Sequence, residues 1–190
     1  MSRFAFKEWA VVCEALAEGR QSVILRKGGI EEGPGGFRVE HRKFWLFPTQ
    51  FHQNPDDLVP DARDLLPAAE ATAPQPGTIR LSLFATVEDV IRLPVESQLS
   101  LLAGLTVLSD RTIEKRFHYG SPGLFVLPVR VWRAEEPIVM PDSPHFAGCR
   151  SWVELPRDLP TENLHPVLTD EQAAEQLQAV LARMPRIEWA

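Results

Sequence analysis

The sequence predicts an α+β fold: a mixed, mainly antiparallel sheet able to curl toward a barrel, with an N-terminal helix and a C-terminal helix. Three observations carry this expectation. Short apolar runs bounded at one end by Gly or Pro recur at 22–27, 44–47, 78–86 and 124–133. An amphipathic stripe opens the chain. A capping signal, Thr169 with Gln172, precedes a second apolar series at helical spacing near its end.

Taken in order, Phe6, Trp9, Ala10, Cys13, Leu16 and Ala17 fall at three- and four-residue steps, which predicts the first helix, stopped at Gly19. Residues 22–27, 37–39 and 44–47 read as strands separated by Gly28-Gly29 and Gly33-Pro-Gly-Gly36, together a small antiparallel meander. Asn54 followed by Pro55 and acidic residues begins either one helix or two short turns over 54–66, with Pro60 between them. The segment 67–77, PAAEATAPQPG, predicts a flexible loop within one domain spanning 1–190. Thr78–Thr86 alternates as a strand, 94–105 reads as helical, and Ser109 or Asp110 caps a short helix through Phe117. Leu124–Arg133 is apolar on both faces and belongs near the centre of a sheet, although Pro128 demands a bulge or an edge. Ala173, Leu177, Val180, Leu181 and Met184 share the face of the last helix.

Composition narrows the function classes. The 190 residues are long enough for a full core without a staple. Cys13 and Cys149 are the two cysteines and form no CxxC pair, which argues against a disulfide framework or a cysteine zinc site. No signal-peptide pattern and no long apolar run is present, so a soluble protein of the cytoplasm, without a membrane partner, is expected. The net charge of −6 is unlike that of a general nucleic-acid coat. It is unevenly spread, at +2 over residues 1–50, +3 over 110–133 and −6 over 134–190. Arginine outnumbers lysine sixteen to four, as GC-rich coding or a need for bidentate donors would give.

Three segments interleave cations with aromatics: Leu25-Arg26-Lys27-Gly28-Gly29, His41-Arg42-Lys43-Phe44-Trp45, and Glu114-Lys115-Arg116-Phe117-His118-Tyr119. Cations hold phosphates and aromatic faces stack bases, so the pattern suits a nucleic acid or nucleotide. Strand alternation alone also sorts cations and core aromatics onto opposite faces. Under the binding reading, Arg26, Lys27, Arg42, Lys43 and Arg116 take phosphate and Trp45 stacks. His52 and Gln53, next to Thr49 at a strand exit, read a polar edge. A second reading is a hydrolase or phosphodiesterase acting on a phosphorylated small molecule or nucleic acid, with His52 as the candidate catalytic acid/base. A third is an interaction scaffold docking a protein partner through the acidic C-terminal region.

Other chemistries find less support. The five histidines lack helical ligand spacing, so no metal site and no cofactor are expected. The residues two positions before the lysines are Ala5, Leu25, His41 and Ile113, so the acid-x-lysine pair of one large nuclease superfamily is absent. Asp56, Asp57, Asp61 and Asp64 do not make the glutamate-rich box of Nudix hydrolases. Cys149, with His145 nearby, is either a thiol nucleophile or a small core residue beside Trp152.

Phe6-Lys7-Glu8-Trp9-Ala10, Arg26-Lys27-Gly28-Gly29-Ile30 and Phe44-Trp45-Leu46-Phe47-Pro48-Thr49 with His52-Gln53 resemble the bacterial domain-of-unknown-function family 1802. Arg116-Phe117, Val129-Arg130-Val131 and Gly148-Cys149-x-Ser151-Trp152 extend the resemblance over nearly the whole chain. It brings no established catalytic residues. The order of elements also resembles PUA-like barrels, a likeness that implies RNA or modified bases bound in a cleft beside a helix.

Overall fold

A computed structural model describes residues 1–27, 39–50, 53–148 and 150–184. The chain opens with strand β1 (Ser2–Trp9), helix α1 (Ala10–Ala17) and strands β2 (Val23–Arg26) and β3 (Lys43–Thr49). Helix α2 (Leu65–Ala71), strands β4 (Thr78–Val87) and β5 (Ile91–Leu93), and helix α3 (Asp110–His118) follow. Strands β6 (Leu124–Pro141), β7 (Trp152–Leu159) and β8 (Leu164–Pro166) lead to helix α4 (Asp170–Arg183). Short 3-10 turns at Pro55–Asp57, Pro60–Ala62, Glu96–Leu102 and Pro144–Phe146 join them.

The strands form one mixed sheet in the order β2-β6-β4-β3-β1-β7, with β5 and β8 also paired to β6. Only the β1–β3 pair is parallel; every other named pair is antiparallel. Among the described residues the path ends at β2 and β7 without closing by strand pairing. Side chains bridge the two ends, because Arg26 of β2 donates Nε and a terminal nitrogen to the Ser151 hydroxyl beside β7, at 2.9 and 2.7 Å.

Each face of the sheet carries its own core. On β3, Phe44 and Leu46 enter the larger core with α1, β2 and α3, while Trp45 and Phe47 enter a smaller one with Phe84, Met140 and Val153. Period-two alternation between two buried faces explains why this run is apolar at every position. A register shift between Leu81 and Leu83 of β4 turns the strand over. Ile79 and Leu81 serve the smaller core, and Leu83, Ala85 and Val87 the larger.

Several expectations are corrected. Phe6 and Trp9 lie on β1, and the helix begins only at Ala10. Phe6 pairs with both Leu46 and Trp152, so β1 is an interior strand, a constraint invisible to local periodicity. Among the described residues the meander is not formed: β2 pairs with β6, not β3, and β3 runs parallel to β1. The expected strand at 37–39 falls largely outside the described residues. Within the predicted loop 67–77, residues 67–71 are helical. Pro67 sits in the first turn, where a missing N–H costs nothing, and Leu65 and Ala69 are buried. The helical stretch expected at 94–105 is confined to Glu96–Leu102 and is a 3-10 helix.

Other expectations hold. Two short turns occupy 55–62, with the Asn54 backbone N–H donated to Asp57. Thr169 and Gln172 make the reciprocal cap of α4. β6 is central, and Pro128 sits where its neighbour on one edge changes from β5 to β4. Among the described residues, no helix is long and apolar enough to cross a membrane.

Trp45 is wholly buried. Trp45→Ala is therefore expected to lower unfolding free energy by about 3–5 kcal/mol in a urea titration.

Candidate functional site

The junction of β1 and α1 is built around Glu8, whose side chain is 1% exposed. It has the strand parity of Phe6 and so faces the larger core side. One carboxylate oxygen accepts the Trp9 backbone N–H at 2.8 Å and lies 3.6 Å from the Arg116 guanidinium of α3. The other is buried with no hydrogen-bond partner among the described residues. Arg116, 16% exposed, also donates to the Leu25 carbonyl at 3.0 Å and stacks 4.5 Å above the Trp9 ring. Three elements distant in sequence thus meet at one cation.

Above this floor lies an open cleft of about 510 Å³ walled by Trp9, Arg26, Lys27, Lys115, Arg116 and Tyr119. Asn54, Asp57 and Thr112 close one end. Thr112, Lys115, Arg116 and Tyr119 stand at i, i+3, i+4 and i+7, one face of α3 and its cap. Tyr119 is 54% exposed, a large aromatic left to solvent. The first and third basic-aromatic segments converge here.

The second segment does not. Lys43 shares the parity of Trp45 and opens onto a separate cleft of about 760 Å³ with Phe84, Trp132 and Arg3. Arg42 reaches the Val87 carbonyl. Trp45 packs edge-on against Phe84 in the smaller core, so the expectation that it stacks a ligand is corrected: no face of it is open.

Other anticipated ligand contacts are already engaged. Lys27 donates to the carbonyls of Phe117 and Gly123, both at 2.8 Å, and to Ser121, tying β2 to the end of α3. Burial, and then the neighbouring Arg92 guanidinium, lower its pKa, while the three carbonyls favour the ammonium form. Gln53 accepts the Val11 N–H at 2.7 Å and donates to the Thr49 carbonyl at 3.0 Å, capping α1 from a remote loop. The Thr49 hydroxyl donates to the Glu8 carbonyl at 3.1 Å. Arg26 lines the cleft while bonded to Ser151 and stacked on Phe6. His52, Gly28, Gly29 and Cys149 lie outside the described residues. Burial, then the charges of Glu8 and Glu14, push the Cys13 thiol well up, away from nucleophilic use.

Sequence reasoning missed Trp9, counted as a helix residue, and Glu8, whose burial is a tertiary fact. The spacing of Thr112, Lys115 and Tyr119 on a predicted helix was a usable signal. Among the described residues, no group of three or more His, Cys, Asp or Glu side chains gathers to hold a metal.

Residues 5–179 match the family described as a domain of unknown function, DUF1802. The chain belongs to the DUF1802 family. No curated protein matches it. Among solved structures it is similar to the ASCH protein of Zymomonas mobilis, at 14% identity and a TM-score of 0.43, covering 97% of each chain. A tyrosine-to-phenylalanine mutant of that protein gives 14% identity and a TM-score of 0.44, covering 92% of this chain and 94% of the other.

If Lys27 braces this DUF1802 fold, Lys27→Met lowers stability by about 1–3 kcal/mol by orphaning the partly buried carbonyls of Phe117 and Gly123. Exposed Lys43→Ala stays within about 0.5 kcal/mol. Parallel urea titrations separate the two.

Proposed function

We propose that this DUF1802 chain is a nucleic-acid or nucleotide-binding module whose site is the cleft between β2, α3 and the β1–α1 junction. One observation carries the reading: two basic-aromatic segments about ninety residues apart converge there, as Arg116 donates to Leu25 across a separation of 91. Lys115, exposed on α3, supplies charge for phosphate, and Tyr119 offers a face for a base. Arg116, pinned by Glu8 and Leu25, meets a ligand in a fixed orientation, which limits the ordering cost of binding. Local positive charge in a net-acidic protein confines the anion to this cleft.

The test is a fluorescence-polarisation titration with short labelled single strands. Lys115→Ala combined with Tyr119→Ala, both exposed, is expected to weaken binding about ten- to a hundredfold with an unchanged melting temperature. Lys43→Ala is expected to bind as the wild type. A double variant that retains wild-type affinity overturns the assignment.

A further inference from the structure

Resting on that reading, we propose that the cleft takes a two-nucleotide step of a single strand and reads one base through Asp57, preferring a base that carries an amino group. Asp57 is the one acidic residue among the described residues lining the cleft. Asp57 is half-buried and held from two sides. One carboxylate oxygen accepts the Thr112 hydroxyl at 3.2 Å, and the other accepts the Asn54 backbone N–H at 3.1 Å and its side-chain amide at 3.4 Å. The Ser109 backbone N–H, donating to the Asp57 carbonyl at 2.9 Å, fixes the same residue to the start of α3. A carboxylate so anchored keeps acceptor capacity on the oxygen that takes only the Thr112 hydroxyl, without freedom to swing away.

A carboxylate in a basic cleft works against phosphate and favours a donor. An amino group of cytosine, adenine or guanine supplies one. The ring N–H of uracil is flanked by two carbonyl oxygens, which a carboxylate repels.

The spacing along α3 sets the footprint. Thr112, beside Asp57, and Tyr119 are seven residues apart, about 10 Å at the helical rise. That is too far for one base to use both and suits two successive bases. Lys115 stands between them, where the linking phosphate would pass. One base stacks on Tyr119, the phosphate meets Lys115, and the next base presents its amino group to Asp57.

The experiment titrates the full chain with labelled single strands of about eight nucleotides, all cytidine or all uridine, at one salt concentration. The cytidine strand is expected to bind about tenfold tighter. Asp57→Asn, which adds a donor, brings the two strands within about twofold of each other. Lys115→Ala weakens both alike and reduces the salt slope by about 0.7. Equal affinity of the wild-type protein for both strands overturns the base reading while leaving the proposed function standing; binding of neither strand overturns both. Competition by free cytidine monophosphate as effective as that of the strand overturns the two-base footprint. The wild-type comparison needs no variant, so a poorly folded Asp57→Asn protein does not remove the test.

Discussion

The buried pairing of Glu8 with Arg116 is the constraint on which the arrangement of this protein turns. A carboxylate withdrawn from water on an interior strand is strongly unfavourable unless a cation and fixed dipoles compensate it. Here the cation comes from α3 and one dipole from the Trp9 N–H. Compensating this charge therefore draws α3 against the end of β1 and lays Arg116 across the Trp9 ring. Removing one partner of such a pair typically costs about 3–5 kcal/mol, a large fraction of a domain's net stability.

The cleft follows from that docking. With α3 held on β1, Lys27 at the end of β2 meets the carbonyls at the end of α3, and Arg26 crosses to Ser151 near the opposite edge of the sheet. Each cation is thereby placed by a structural bond of its own. The functional reading falls on the groups left exposed on the same wall, Lys115 and Tyr119. Lys43 is excluded for an equally simple reason: on a strand buried on both faces, its parity sends it to the other side of the sheet.

What was legible in the sequence is what local chemistry specifies. The caps at Asn54 and Thr169 declare themselves through side chains three residues apart, and β6 through a run apolar on both faces. β1 was misread because Phe6 and Trp9 also fit a helical stripe, and only pairing with β3 and β7 decides between the two periods. β7 interrupts its apolar positions with Glu154, Arg157 and Asp158, and β8 is three residues long, so they carry little pattern of their own. At the site, Arg26 and Arg116 were identifiable from cation-aromatic interleaving. That pattern could not separate Lys115 from Lys43, because strand parity and helix face are equally compatible with it. Glu8 looked like one more surface acid until the sheet enclosed it.

The most direct measurement is a ¹H–¹⁵N NMR titration of labelled protein with a short single-stranded oligonucleotide. Shift changes are expected to gather on Lys115, Tyr119, Asp57 and the Trp9 indole, while Lys43 and the Trp132 indole stay in place. Changes centred on Lys43 and Trp132 instead would contradict this and move the binding surface to the opposite face of the sheet.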